Sequence, residues 1–180
     1  MKLQKTEVKD CVVVKMDRHE DHRGFFQEFY QHDKYGMIPS EDGFAIHSLQ
    51  KEWKQMNWSH SQKNVLRGIH VAPYAKLVTC VSGAIYDVAV DVRKDSPSFG
   101  NWYGKWLRSE DPEQMLIPAG CGHGFMAVTG QTSVIYLQDA AFTPGIEKSI
   151  NCFDLGIDWP MANPDYILSE EDDAAQSFNE

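Results

Sequence analysis

The stretch from Ile85 to Val92 constrains the fold more than any other. It puts Tyr86, Val88, Val90 and Val92 on one face and Ile85, Asp87, Ala89 and Asp91 on the other, the period of two that a β-strand imposes. Val12-Val13-Val14 and Gly24 to Tyr30 precede it; Trp102 to Leu107, Met115 to Ile117, Gly124 to Thr129 and Ser133 to Leu137 follow, the latter each bounded by Gly, Pro, Asp or Ser. Short, evenly punctuated runs of this kind predict an all-β sandwich or barrel. Helix is scarce: Gln31 to Gly36, and Ser169 to Ala175 with Ser169 as its cap and acids in its first turn. Two carboxylates on one strand face need partners. Either Asp87 and Asp91 line a polar cavity, or the strand lies at an edge and they are solvated.

With 180 residues and neither repeat nor linker, the chain reads as one domain, residues 1–180, with a short acidic C-terminal extension. A domain of this length buries roughly 70% of its unfolded surface and folds without a staple. A hydrophobic share of 42% and an aromatic share of 12% are those of an ordinary globular chain. The net charge of −9 repels nucleic acid, so an anionic ligand must meet a local basic cluster. Arg23, Arg67 and Lys76 are the candidates, while Arg93 and Lys94 read equally well as turn residues. Cys11, Cys80, Cys121 and Cys152 have no metal or redox spacing and read as buried, reduced thiols. The polar start and the lack of a long apolar stretch predict a cytoplasmic protein with no membrane span.

The segment Asn64-Val65-Leu66-Arg67-Gly68-Ile69-His70 carries the chemistry, with Lys76 just beyond it. A guanidinium three residues from an imidazole supplies an anion clamp and a proton acceptor, and the glycine between them permits a close backbone approach to a ligand. Taken alone, such a pair is more often a surface contact or a satisfied core histidine. Here it is one of five ordered motifs. Asp21-His22-Arg23-Gly24-Phe25-Phe26-Gln27-Glu28 comes first, then Gln55-x-Asn57-x-Ser59-x-Ser61 and the Arg67 segment. Asp87 to Arg93 with Ser96-Pro97-Ser98-Phe99-Gly100 follows, and Ile117-Pro118-Ala119-Gly120-Cys121-Gly122-His123-Gly124-Phe125 completes the set. Together, from about Val8 to Trp159-Pro160, they resemble the dTDP-4-dehydrorhamnose 3,5-epimerase family of nucleotide-sugar epimerases. That family is a cupin-type jelly-roll β-barrel, and Pro118-x-Gly120-x-x-His123 also fits the second half-motif of such barrels.

The resemblance implies an isomerase that needs no cofactor or metal and inverts C3 and/or C5 of a nucleotide-linked 4-keto-6-deoxy sugar. It implies His70 as base, Asp172 as its carboxylate partner (with Asp173 open), Tyr136 as acid on the opposite face and Lys76 near the enolate oxygen. Arg67 falls to the sugar and diphosphate, Gln55 and Asn57 to the pocket wall, and His123 to a donor near the ketone. Arg23, Phe26 and Glu28 match positions that reach the nucleotide of a neighbouring subunit in a strand-exchanged homodimer, although one of Phe25 and Phe26 also reads as core. Three departures alter the pocket wall: Ala72 replaces a glutamine, Ala141-Phe142 an aromatic pair, and Glu171 a lysine. Competing readings are a ketoisomerase of keto-deoxy sugars on the same barrel and a non-catalytic sugar-binding cupin. A metal-dependent oxygenase fits less well, because His70 is followed by Val71-Ala72 without the His-x-His spacing, which leaves His47, His60 and His123 to meet in space.

Overall fold

The short β-rich runs form thirteen strands among the residues that the computed structural model describes, which are 1–38, 49, 51–160 and 166–178. Six make one sheet: β1 (Lys2–Lys5), β2 (Val12–Lys15), β10 (Glu113–Ile117), β7 (Lys76–Ser82), β12 (Thr132–Gln138) and β5 (Gln55–Ser61), in that spatial order. Five make a second: β13 (Lys148–Ile150), β6 (Leu66–Val71), β11 (Gly122–Ala127), β8 (Ala84–Val90) and β9 (Trp102–Arg108). Neighbours in both sheets pair antiparallel. The order jumps repeatedly along the chain, as a jelly roll requires. β3 (Arg18–Asp21) and β4 (Gly24–Gln27) form a separate hairpin. The two helices are single turns, α1 (His32–Gly36) and α2 (Glu170–Asp173), the second capped by Ser169 as its sequence predicts.

Three apolar layers hold the sheets. Between them, Val78, Cys80, Met115, Ile117 and Val134 of the six-stranded sheet meet Ile85, Ala89, Leu107 and Phe125 of the other. The outer face of the six-stranded sheet is covered by Tyr35, Ile38 and Leu49 over Val12, Val14, Leu77 and Leu116. The outer face of the five-stranded sheet is covered by Cys152, Leu155, Ile157, Trp159 and Leu168 over Leu66, Val88, Val90 and Met126.

This layering corrects the reading of Asp87 and Asp91. The strand that carries Asp87, β8, is flanked by β11 and β9 rather than lying at an edge, and both carboxylates are fully buried. Asp91, one residue past β8, takes Arg93, Ser96 and Ser98 as partners and organises the turn to Gly100. Burial opposes its ionisation, but these hydrogen bonds win and hold its carboxyl below the usual range. Arg93 is therefore a structural partner and not an anion clamp. The hairpin brings a second correction. β4 stops at Gln27, and Phe25 and Phe26 are 57% and 68% exposed, so neither ring is core. The four cysteines are buried and free. Among the described residues no helix is long and apolar enough to cross a membrane.

Candidate active site

Alternation along each strand turns one set of side chains into the space between the sheets. There they surround a cavity of about 550 Å³, the size of a small-molecule site. The six-stranded sheet contributes Gln55, Asn57 and Ser59 of β5, Lys76 of β7, and Tyr136 and Gln138 of β12. The five-stranded sheet contributes Arg67, Gly68 and His70 of β6 and His123, Gly124 and Phe125 of β11. The C-terminal segment closes one side with Ser169, Glu171 and Asp172, and the loop between β12 and β13 adds Phe142 and Glu147.

His70 Nε2 lies 2.7 Å from Asp172 Oδ1. Asp172 heads the pocket side of α2, where the Ser169 cap bonds both its backbone N–H and its carboxylate. Burial works against its ionisation, yet hydrogen bonds from His70, the Gly68 N–H and Ser169 hold it below the ordinary carboxylate range. The capped first turn thus selects Asp172 over Asp173. Gly68 is what lets this contact form: a Cβ there would stand 2.6 Å from Asp172 Oδ1. The close approach that the glycine suggested is made to the chain's own carboxylate rather than to a ligand. Gly124 serves the opposite side of the same strand, since a Cβ would meet the Arg67 and Gly68 carbonyls at 2.8 Å. That is where the β6–β11 register shifts between His123 and Phe125.

His70 also meets a second carboxylate, which the sequence did not single out. Glu147 Oε2 is 3.5 Å from Nδ1, and Glu147 Oε1 takes Lys76 Nζ at 3.1 Å and the Tyr74 hydroxyl. The Asp172 hydrogen bond first, and Glu147 second, raise His70 from 6.5 to about 9 against the pull of burial. Glu147 is lowered to about 2, chiefly by His70 and despite burial. Nothing in Thr143-Pro144-Gly145-Ile146-Glu147 marks a site in one dimension; only the fold returns this loop to β6 and β7.

His123 is the cross-strand partner of His70 and bonds Asp87 at 2.8 Å from beneath the cavity wall. Asp87 is thus a support for a wall residue, readable in the sequence only as a carboxylate in want of a partner. Tyr136 is partly buried, and burial followed by the Glu147 charge raises its hydroxyl above the ordinary 10. Arg67 donates to Ser61 Oγ at 3.1 Å and to the His60 carbonyl at 3.3 Å. Gln55 holds Asn57 at 2.8 Å and accepts from the Phe142 N–H at 2.8 Å. Arg23, Phe26 and Glu28 stay on the hairpin and its exit. Arg23 is tied to Asp21 and Glu28 to Lys34, and none of the three lines this chain's cavity. His60 pairs with Ser133 and Gln131, whereas His123 pairs with Asp87, and His47 lies outside the described residues. Among the described residues, no cluster of three or more His, Cys, Asp or Glu side chains is arranged to hold a metal ion.

A family model of dTDP-4-dehydrorhamnose 3,5-epimerase matches residues 5–180. The enzyme of that name from Shigella flexneri is 37% identical over 99% of this chain and 96% of its own length. A Legionella pneumophila dTDP-6-deoxy-D-glucose-3,5-epimerase, solved with dTDP-4-keto-L-rhamnose, superposes with a TM-score of 0.87 at 34% identity, covering 98% of this chain and 92% of that one. A 3′-monoepimerase from Streptomyces bikiniensis, solved with dTDP-quinovose, gives 0.81 at 30% identity over 94% of this chain and 84% of that one. With the fold, the paired histidine and the barrel cavity in agreement, this chain belongs to the dTDP-4-dehydrorhamnose 3,5-epimerase family.

Proposed function

We propose that the protein inverts C3 and/or C5 of dTDP-4-keto-6-deoxyglucose or a close relative, removing and returning protons beside the 4-ketone. One observation carries the reading: His70 with Asp172 stands on the wall of one sheet, and Tyr136 with Lys76 on the wall of the other, across a single cavity. Inversion needs a proton taken from one face of a carbon and delivered to the other. Neutral His70 takes the C–H proton, and the electron pair moves into the ketone to form an enolate. Lys76 steadies the enolate oxygen. Tyr136, kept protonated by burial, gives its proton to the opposite face, and the double bond collapses back to the ketone. Asp172 holds the imidazole in register and stabilises its charged form. Arg67 suits the diphosphate, and Gln55, Asn57, His123 and Phe142 complete the wall.

Single-carbon inversion is the second reading. The likeness to a 3′-monoepimerase favours it. The exposed hairpin, with Phe25 and Phe26 bare, and the exposed Met56 and Trp58 of β5 support a homodimer in which Arg23, Phe26 and Glu28 reach the partner's nucleotide. Four buried free thiols fit a cytoplasmic setting.

The test is incubation in D2O with dTDP-4-keto-6-deoxyglucose, following deuterium at C3 and C5 by NMR. Label at both carbons supports the 3,5-epimerase, and label at one supports a single-centre enzyme. No label here or on UDP-, GDP- and heptose-linked ketones means a binding role. Tyr136→Phe separates the two proton transfers: exchange at a carbon persists while its inversion stops.

A further inference from the structure

A general base needs a lone pair, and both ring nitrogens of His70 face carboxylates: Nε2 faces Asp172 at 2.7 Å and Nδ1 faces Glu147 at 3.5 Å. The two contacts differ in kind. Asp172 is fixed by a helix cap, by Gly68 and by burial, and its bond to Nε2 is short. The Glu147 contact is long, and that carboxylate is shared with Lys76 and Tyr74. Nδ1 is thus the nitrogen left to work, and Glu147 is the group standing over it in the empty site.

We infer that Glu147 is a positioning residue that sets the protonation state of His70 and ties it to Lys76, so that the free enzyme rests with an imidazolium and must shed one proton before it can accept one from substrate. The inference rests on the proton-transfer role proposed above for His70. The proton balance is simple: His70 releases its Nδ1 proton to water, Glu147 stays ionised on Lys76 and Tyr74, and the bared lone pair then takes the substrate C–H proton. Other charged or titratable groups face this ring from every side: Asp172 and Glu171 from the C-terminal segment, Lys76 and Tyr74 at β7, Tyr136 on β12, and His123 and Arg67 on the same sheet. Lys76 and Arg67 oppose an imidazolium, and Asp172 favours it in every state. Glu147 is distinctive in touching both the ring and the enolate-side cation. Its loop is anchored on the N-terminal side by Asp139 accepting from the Ala75 N–H and by Gln55 holding the Phe142 N–H, and it runs straight into β13, paired with β6, after Glu147. Its carboxylate is therefore placed by the fold rather than by chance.

The test titrates His70 by NMR in the free protein labelled at histidine, with the resonance assigned by its loss in His70→Asn. Wild-type His70 should titrate well above 6.5. Glu147→Gln keeps an acceptor for Tyr74 and Lys76 but removes the charge, and should lower the midpoint by about 1 to 2 pH units. The acid limb of kcat/KM should move down by the same amount. Glu147→Asp, which keeps the charge, should restore part of the wild-type midpoint. A wild-type midpoint at or below 6.5, or one that Glu147→Gln leaves in place, overturns the inference. Because the titration needs no substrate, it decides the matter even if the epimerase reading fails; should Glu147→Gln not fold, Glu147→Ala read against Glu147→Asp makes the same comparison of charge lost with charge kept.

Discussion

Two histidine–aspartate pairs sit side by side in the five-stranded sheet. His70–Asp172 and His123–Asp87 have nearly equal bond lengths, 2.7 and 2.8 Å, and the two histidines are cross-strand neighbours. Their surroundings differ. The His70 side chain is 29% exposed and meets a second carboxylate, whereas His123 is 8% exposed and rests on an aspartate with no exposure at all. Asp172 is itself fully hydrogen-bonded, while Asp87 keeps one buried oxygen, Oδ2, without a partner. The same pair of side chains therefore supports two jobs. In the mechanism proposed above, the ring that opens to the cavity with charge on both sides handles protons, and the ring sealed on one carboxylate holds a donor in place.

The sharpest way to break the comparison is to remove each ring. His70→Ala should abolish deuterium exchange at both C3 and C5, a loss of about 10³-fold or more, the range of a general base. Full retention of exchange would put the base elsewhere. Asp172→Asn comes next, at about 10²-fold in kcat, because an amide can hold the ring but not its positive charge. Gly68→Ala should match it with both members of the pair unsubstituted, since the new Cβ would displace the Asp172 carboxylate. A Gly68→Ala enzyme with wild-type kcat would mean that the Asp172 contact is dispensable. Asp87→Asn should cost about tenfold or less, with the acid limb of the pH profile unmoved, because Asn still accepts from the ring and the proposed mechanism gives His123 no substrate proton. A shift of that limb would make His123 a second base.

How far these differences could be read in one dimension depends on sequence distance. His70, Gly68 and Arg67 are legible because they share one strand and one motif. Tyr136 and Lys76 were placed by family resemblance, and the registers of β12 and β7 bring them to the wall. The jelly roll followed from short alternating strands, but β5 and β6 carry too few apolar residues to announce themselves as strands, and the polar Gln55-x-Asn57-x-Ser59 alternation shows its meaning only beside a cavity. For Asp87 the alternation leaves a polar cavity and a solvated edge both open; the carboxylate lies on the inner face of β8 with Ile85 and Ala89 and is buried by the opposite sheet, which the period of one strand does not reveal. Apolar character left one of Phe25 and Phe26 open as core, and the hairpin leaves both bare. Glu147 carries no local signal at all, since a carboxylate after a Pro-Gly turn is ordinarily solvated.

The smallest predicted effect concerns stability, and its sign separates His70 from the Glu147 carboxylate beside it. His70 is raised in the fold, from 6.5 to about 9, so its contribution is complete below pH 6.5 and disappears as pH climbs through about 9. Glu147 is lowered, from 4.5 to about 2, so its contribution is complete above pH 4.5 and disappears as pH falls toward 2. Both are intact together between about 4.5 and 6.5. The two shifts overlap in the His70–Glu147 contact, with Asp172 leading the first, and are not added; at most the His70 charge contributes about 3 kcal/mol, roughly 6 to 12 °C in Tm for a chain of this size. Calorimetry should therefore find the Tm of wild type above that of His70→Asn by several degrees at pH 6, with the gap closing by pH 10. A gap that persists at pH 10 would assign the stabilisation to packing of the ring, because removing the proton removes the ion pair but leaves the imidazole in place.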